Sequence, residues 1–499
     1  MTSKFLQVMR PFMSITPEVV KPDRAVKFNE KIAWTIGALV IYFVMTTIPL
    51  FGVVTQNTPF EWLRTIMAQS KGSLAELGIG PIVTAGLIMQ ILTGSKIINV
   101  DMSDPEERAL YTGAQKVLSV GMTLFEAIAY IVGGAYGPVD ELGTSGAILV
   151  IIQLMAAGIV IILLDEMIQK GWGLGSGISL FIAGGVATDI MWNAFAFAEL
   201  EAGETGGYSQ GAIWALIQKL GEGNFDPVEA FFRPRLPSNS VLAVVATIVV
   251  FMVVIYFESM RVEIPVSHAQ HKGMRGKYPI KLLYVSNIPV ILVSAVFADV
   301  YFISQMLANA ATGGAGGTSG NILIDLIGKF TLKDGGLTPS GGLVYFMTPP
   351  RGLIGAGGLL GDPLLGGAFP DITQLSRSLI YGTIMIGLCI VFSMMWIETA
   401  GMAPKDVAKQ LIGAGMQIPG WRRSEKIIEK RLEMYIPQAA FIGGIFIGVL
   451  AVGADYMGAL GTGTGILLSV SIMRQYFDIL VKERAAEMHP ALRDFLGIM

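Results

Sequence analysis

Charged residues are scarce in this chain of 499 residues. Asp, Glu, Lys and Arg make up 15%, hydrophobic residues make up 53%, and the mean hydropathy is +0.60. A soluble protein carries about 25% charged residues. The deficit excludes an ordinary soluble domain and indicates that most of the chain lies in lipid.

Cysteine and histidine are nearly absent as well. The single cysteine, Cys389, lies in an apolar run, which excludes a disulfide framework. The histidines are His268, His271 and His489, and none falls in a hydrophobic segment long enough to span a membrane. A zinc pair of the form H-E-x-x-H does not occur. We therefore expect neither a metal site nor a cofactor.

Two glycine-rich runs resemble catalytic motifs only superficially. Gly173-Leu-Gly-Ser-Gly177 contains a serine but has no membrane-embedded histidine to act as its base. Gly461-Thr-Gly-Thr-Gly465 lacks the Lys-Ser/Thr that completes a phosphate loop. We interpret both as flexible starts of helices, so the sequence predicts no enzyme.

Long hydrophobic segments dominate what is present. A membrane-spanning helix needs about 20 mostly apolar residues. The sequence predicts ten such helices, near residues 32–53, 77–95, 112–136, 143–165, 174–197, 240–260, 282–305, 377–399, 434–453 and 462–480. Ten spans place both termini on the same side of the membrane.

Positive charge is distributed unevenly between the two sides. The connections on the side of the termini carry 24 Lys and Arg residues, and the opposite connections carry 8. Because cytoplasmic loops are enriched in Lys and Arg, we expect both termini in the cytoplasm.

This topology divides the chain into five parts. We expect a cytoplasmic N-terminal amphipathic segment (1–31), a first half (32–197), an external connection (198–239), a second half (240–480) and a cytoplasmic tail (481–499). The second half contains two basic cytoplasmic loops (261–281 and 400–433) and a glycine-rich external loop (306–376), which we expect to be mobile or only partly folded.

Polar residues interrupt several spans. The run Leu77–Gln90 opens with Gly78, Gly80 and Pro81, residues that usually break a helix, and then carries Thr84. Such a span borders a pore more plausibly than it sits in lipid alone. Glu126 lies midway along the third span, and Asn287 lies in the seventh. Polar groups at that depth should face protein or water.

The two basic loops have two open interpretations. Positive-inside bias and anionic lipid account for part of their charge. Alternatively, they form a docking surface for a large anionic partner such as ribosomal RNA. In that case Arg422 and Arg423, beside Trp421, would contact phosphates and stack on bases.

The chain resembles the SecY family of protein-conducting channels, in its archaeal and eukaryote-like form, from about residue 15 to 490. The segments that carry the resemblance are Leu77–Gly86, Gly175–Ala183, Met260–Pro265, Gly276–Lys281, Val285–Ile291 and Gly463–Leu468. The resemblance implies an all-α polytopic membrane protein with ten transmembrane helices, in two pseudo-symmetric halves of five helices around a central hourglass pore.

The resemblance also implies roles for individual residues. A pore ring of aliphatic side chains would consist of Ile79, Val83, Ile178, Ile182, Ile291 and Leu468. A plug helix at about 57–68, with Phe60, Trp62, Leu63 and Ile66, would close the pore from outside. A lateral gate between spans two and three and spans seven and eight would carry the polar residues Thr84, Glu126 and Asn287.

By this resemblance the protein is a passive channel that moves secretory polypeptides and releases apolar segments into lipid. The implied partners are a one-span SecE or gamma-type subunit, a small beta-type subunit, a ribosome, and substrates with signal sequences. The ribosome would dock on Arg261, Lys272, Arg275, Lys277, Arg422 and Arg423, and the implied location is the plasma membrane. The alternative is a secondary transporter with broken helices and a midplane site, for which Glu126 is the obvious candidate.

Overall fold

The computed structural model describes most of the chain between residues 4 and 488. The described residues are 4–53, 67–95, 97–98, 100, 104–136, 139–198, 208–221, 231, 233, 240–268, 275–312, 320–333, 336–349, 372–413, 416–417 and 425–488. The expected plug residues Phe60, Trp62, Leu63 and Ile66, and the basic residues Lys272, Arg422 and Arg423, lie outside this part of the chain.

Ten long helices occupy the ten predicted spans. They are α2 (Phe28–Thr47), α3 (Gly80–Gly94), α4 (Pro105–Val132), α5 (Val139–Met167), α6 (Gly177–Phe195), α8 (Val241–Ser259), α9 (Ile288–Thr312), α12 (Ile372–Thr399), α15 (Ile436–Tyr456) and α16 (Gly463–Met488). Within the described residues, nine helices are long and apolar enough to cross a membrane, whereas α3 has only 15 residues.

Shorter helices lie between and before these spans. They are α1 (Lys4–Met13), α7 (Ala212–Gly221), α10 (Ile322–Ile327), α11 (Leu343–Met347), α13 (Pro404–Gly413) and α14 (Glu425–Leu432), together with a π-helical turn over Ile168–Trp172 that extends α5. Side-chain caps fix some of the starts. Asp104 accepts the Glu106 N–H at 2.9 Å before α4, and Ser240 accepts the Ala243 N–H at 3.1 Å before α8.

The N-terminal segment is anchored to the first half. The apolar face of α1 buries Leu6 against Met89 of α3 and Tyr111 of α4. The extended residues that follow cross the π-helical turn, where Lys170 forms an ion pair with Glu18. The amphipathic pattern of the first residues therefore packs against helices of the chain itself.

The two basic loops are joined by a small β-sheet. β1 (Arg261–His268) and β2 (Arg275–Lys281) form an antiparallel hairpin, and β5 (Met416–Gln417) of the other basic loop pairs with the end of β1. The strand order is β2-β1-β5. Two segments far apart in sequence thus form one surface.

The described part of the glycine-rich loop is folded. β3 (Lys329–Lys333) and β4 (Gly336–Gly341) pair antiparallel between α10 and α11. We call residues 320–333 and 336–349 the hairpin module. Phe330 of this module packs edge-on against Tyr301 of α9, with ring centroids 5.5 Å apart. The buried Phe330 gives the module an apolar attachment to α9, which accounts for the fold of these residues.

The principal apolar core lies between the two sets of five helices. It takes buried side chains from helices of both halves, including Tyr42 and Phe181 of the first and Phe297 and Tyr381 of the second. Tyr42 and Phe181 stack with centroids 4.8 Å apart. This shared core positions the residues considered next.

Candidate functional site

The six residues of the expected pore ring converge on the principal core. Ile79, Val83, Ile182, Ile291 and Leu468 are buried members of it, and the partly buried Ile178 packs against it. They lie at or within six residues of the starts of four helices, α3, α6, α9 and α16. Four helix starts therefore bring short aliphatic side chains to one region of the molecule.

The start of α3 depends on glycine. Gly78 has φ +53°, and a Cβ there would lie 2.3 Å from the carbonyl oxygen of Met67. The next residue, Ile79, donates its N–H to that same oxygen at 3.0 Å. Pro81 occupies the first turn, where its missing N–H costs no hydrogen bond. The start of α3 therefore packs directly against the backbone of Met67 and Ala68, which lie earlier in the chain.

The segment that precedes this turn is fixed from the other side. Tyr42 of α2 donates its hydroxyl proton to the carbonyl oxygen of Ala68 at 2.8 Å, and both residues are buried. Residues 67–68 are thus held between α2 and the start of α3. This is where the chain emerges from the range in which the plug is expected.

A polar contact joins α3 to α9. The hydroxyl of Thr84, which is 4% exposed, donates to Oδ1 of Asp299 at 3.2 Å. Asp299 lies in the middle of α9 and is partly buried. This hydrogen bond links α3 directly to α9.

Glu126 of α4 completes the polar part of this seam. It is 6% exposed, and its Oε1 atom has no hydrogen-bond partner in the described part of the chain. A Cβ at Gly80 would lie 3.1 Å from its Oε2 atom, so the glycine gives this carboxyl group room. Apart from these polar groups, the seam is apolar.

A cavity of about 170 Å³ opens between α3, α4 and α9. Thr84, Glu126 and Asp299 supply its polar groups, and the remaining lining side chains are apolar or aromatic: Ile88, Met122, Phe125, Ala129, Tyr130, Phe302, Ile303 and Met306. The cavity marks the seam as loosely packed, which suits a place where two helix pairs separate.

Asn287 is not among the residues that line this cavity. It is buried one residue before α9, where Ser286 bonds to its Oδ1 at 3.4 Å. Thr84, Glu126 and Asp299 thus line one cavity, whereas Asn287 lies just before the start of α9 and outside that lining. Sequence reasoning missed Asp299. Its signal was present, since Asp299 is an isolated acidic residue in the apolar run Val296-Phe-Ala-Asp-Val300.

The expected docking residues that the structure describes lie on the β-sheet. Arg261 is exposed at the start of β1 and forms an ion pair with Glu263 at 3.3 Å. Arg275 and Lys277 lie on β2, opposite Ser267 and Pro265 of β1. The sheet therefore places three of the six expected docking residues on two adjacent strands.

Metal chemistry finds no support in this part of the chain. Among the described residues, no group of three or more His, Cys, Asp or Glu side chains is arranged to hold an ion. The arrangement consists instead of an aliphatic cluster and a weakly polar seam.

Comparison with known proteins gives two family matches. A model described as SecY matches residues 73–477, and a model described as the plug domain of Sec61p matches residues 40–72. Together they cover the pore-ring residues, the seam and the range in which the plug is expected.

Solved structures agree with these matches. A protein-conducting channel is 38% identical over 97% of this chain and 99% of its own, with a TM-score of 0.78. A SecY structure, described for a plug domain that stabilises the closed state and maintains a membrane seal, has the same identity and coverage and a TM-score of 0.75. Sec61 from a canine ribosome-channel complex of the endoplasmic reticulum also matches at 38%, 97% and 99%, with a TM-score of 0.75.

Proposed function

The chain belongs to the SecY family of protein-conducting channels and carries its plug domain, and on this premise we propose how its own residues conduct a polypeptide. It is a multi-pass membrane protein, and its role is the central, pore-forming subunit of a translocase. The convergence of four helix starts on one aliphatic cluster is the observation that supports the mechanism best.

The aliphatic cluster acts as the constriction of the pore. Ile79, Val83, Ile178, Ile182, Ile291 and Leu468 offer no hydrogen-bonding groups from their side chains. A narrow apolar constriction excludes water and ions, and its side chains adapt to whatever residue passes. It therefore seals the resting channel without binding the translocating chain tightly.

The seam between α3, α4 and α9 acts as the lateral gate. Its closed state is held by few polar contacts, with Thr84 and Asp299 as the direct link. A hydrophobic signal or transmembrane segment opens the seam when its apolar contacts outweigh these bonds. Such segments then pass sideways into lipid, whereas polar segments continue through the constriction.

Residues 57–68 act as the plug. Its last residues, Met67 and Ala68, are buried beside the start of α3. Because Ile79 bonds to Met67 through the backbone, a plug that moves must break contacts next to the constriction itself. Plug displacement and widening of the ring are thereby coupled.

The β-sheet is the core of the ribosome-docking surface. It joins the two basic loops, and a relative solved in a ribosome-channel complex supports a ribosome as the partner. Charge reversal at Lys272, Arg275, Arg422 and Arg423 should weaken ribosome binding, because contacts with RNA phosphates are electrostatic. Equal affinity of variant and wild type throughout a salt titration would exclude these residues from docking.

The remaining assignments follow from topology and family. The protein lies in the plasma membrane with both termini in the cytoplasm. A one-span SecE or gamma-type subunit joins the two halves, and a beta-type subunit completes the complex. The channel is passive and no enzyme, so a bound ribosome or another partner supplies the driving force. The transporter alternative is not retained, because the chain belongs to a family of protein-conducting channels.

Site-specific crosslinking tests the proposal. Cysteine at Ile79 or Leu468 should crosslink to a stalled secretory chain, and cysteine at Ile152, which is 60% exposed on α5, should not. The native Cys389 is fully buried and gives little background. A stalled chain that reaches neither ring position would overturn the proposed path through the pore.

A further inference from the structure

The two glycine-rich runs are versions of one motif. Gly173-Leu-Gly-Ser-Gly-Ile-Ser-Leu180 and Gly461-Thr-Gly-Thr-Gly-Ile-Leu-Leu468 share the pattern G-x-G-[S/T]-G-I-x-L. The first opens α6, the last span of the first half, and the second opens α16, the last span of the second half. Since α6 is the fifth span and α16 the tenth, the two helices run in opposite directions.

In the first run the motif is held by a buried aspartate. Asp165, near the end of α5, accepts the N–H of Ile178 at 3.0 Å and the hydroxyl of Ser176 at 3.4 Å. A Cβ at Gly177 would lie 2.6 Å from the Cα atom of Asp165. Glycine is required because the backbone of α6 begins in direct contact with the end of α5.

In the second run an aspartate again binds the hydroxyl at the Ser/Thr position of the motif, but it accepts the backbone N–H two positions earlier in the motif. Asp455, near the end of α15, accepts the N–H of Thr464 at 3.0 Å and the hydroxyl of the same residue at 2.8 Å. A Cβ at Gly463 would lie 2.0 Å from the carbonyl carbon of Ala454. The hydroxyl of Tyr381 on α12 adds a further hydrogen bond to Asp455 at 2.7 Å.

One aspartate contacts a residue of the proposed constriction, and the other holds the helix turn that precedes one. Ile178, whose N–H is bound by Asp165, is itself a ring residue. Leu468 lies one helical turn after Thr464, so the bond from Asp455 fixes its height and direction. The hydroxyl of Tyr476 on α16 also donates to the Ser176 carbonyl at 2.7 Å, which links the two helices.

We propose that Asp165 and Asp455 are positioning residues that set where α6 and α16 begin and thereby keep the aliphatic constriction narrow at rest. This role rests on the proposed function, because it assumes that Ile178 and Leu468 line the pore. Each half of the channel carries one such aspartate, and together they fix two of the four helices that form the ring.

Ion leakage through the resting channel tests this role. Asp165→Ala and Asp455→Ala should each raise the conductance of the purified, reconstituted channel by about tenfold, the shift that a lost helix cap produces. The Asp→Asn variants should show an intermediate leak. An amide oxygen still accepts the backbone N–H, but an amide nitrogen cannot accept the bonds that the second carboxylate oxygen accepts from Gln169 or from Thr464 and Tyr381. Glu166→Gln is the matched control, since Glu166 is adjacent and forms ion pairs with Lys116 and Lys170 at 2.7 and 2.9 Å.

Glycine variants give an independent measure of the same contact. Gly177→Ala and Gly463→Ala should also raise the leak, because a Cβ would push the start of the helix away from the aspartate. Gly453→Ala on α15 should not, since a Cβ there has no heavy atom within 4 Å among the described residues. A purely structural role would lower the amount of assembled channel and leave the conductance of each assembled channel unchanged.

Two outcomes overturn the proposal. The first is an ion leak no higher than that of wild type in Asp165→Ala and Asp455→Ala channels that have assembled. The second applies if those variants do not assemble. Tyr381→Phe removes one bond to Asp455 and keeps both carboxylates, and an unchanged ion leak in this variant then excludes the role. Crosslinking of a stalled chain to Leu468→Cys is measured in parallel, in a channel with no other substitution. Absence of this crosslink would refute the proposed pore itself.

Discussion

Removal of the Thr84 hydroxyl should lower the hydrophobicity that a signal needs to open the lateral gate. Thr84→Val keeps the shape of the side chain and deletes the donor that bonds to Asp299 at 3.2 Å. The closed seam then loses its direct polar link between α3 and α9. The open state has already broken this link, so the change acts on the closed state alone.

The size of the effect follows from the cost of such bonds in membranes. An interhelical hydrogen bond contributes about 0.6 kcal/mol on average and about 1.7 kcal/mol at most, which corresponds to a shift of about 3- to 18-fold toward the open gate. A leucine contributes about 0.5 kcal/mol to membrane insertion of a helix. The threshold should therefore fall by about one to three leucines.

The assay is translocation of a reporter behind signals with increasing numbers of leucine. The midpoint of translocation, expressed as a leucine number, is compared between wild type and Thr84→Val. Thr383→Val on α12 is the control, because its hydroxyl bonds to the Leu379 carbonyl one turn earlier in the same helix. A midpoint that is identical in all three proteins would refute the role of the Thr84–Asp299 contact.

Three further predictions concern the surroundings of the pore. The ion pair with Lys170 lowers the pKa of Glu18. The attachment of the N-terminal segment is therefore strongest above pH about 4.3 and is lost as the pH falls through the folded-state pKa. Glu18→Gln should speed proteolysis of that segment at pH 7, and in acid the variant and wild type should be cleaved at the same rate. Cys389, which is fully buried, should resist maleimide until the channel is denatured, and labelling of the intact protein would contradict the packing around it. Gly342→Ala should loosen the hairpin module, because Gly342 has φ +79° and a Cβ there would lie 2.8 Å from the Cα atom of Gly328. Limited proteolysis should detect this, whereas Gly341→Ala, with 3.5 Å of space, should behave as wild type.

The membrane helices were predictable because each is a long apolar segment. All ten predicted spans overlap a helix, and the two largest shifts in a start are seven residues, at α4, and six residues, at α9. At α9 the shift has a structural cause. There the chain makes a turn in which Ser286 has φ +57° before the helix begins at Ile288. Hydropathy alone does not register that turn, since Leu282, Leu283 and Val285 extend the apolar run of the helix toward the N-terminus.

The β-sheet and the polar seam were less accessible. β1 contains Pro265, which argues against a strand in sequence, and its partner β5 comes from a loop about 150 residues away. The contacts of Asp165 and Asp455 are not visible in the sequence, because their partners lie across a turn whose path depends on glycine. Contacts of this kind follow from the three-dimensional path of the backbone and leave only weak traces in local composition.

The hairpin module constrains which helices can move apart. It packs on α9 through Phe330, and Arg377 of α12 donates to the carbonyl oxygens of Tyr345 and Thr348 at 3.0 and 3.2 Å. The guanidinium group also lies 4.4 Å from the centre of the Tyr345 ring. At this end of the molecule the hairpin module therefore connects α9 to α12. Under the proposed gating, a widening seam should therefore move both helices together, away from α3 and α4.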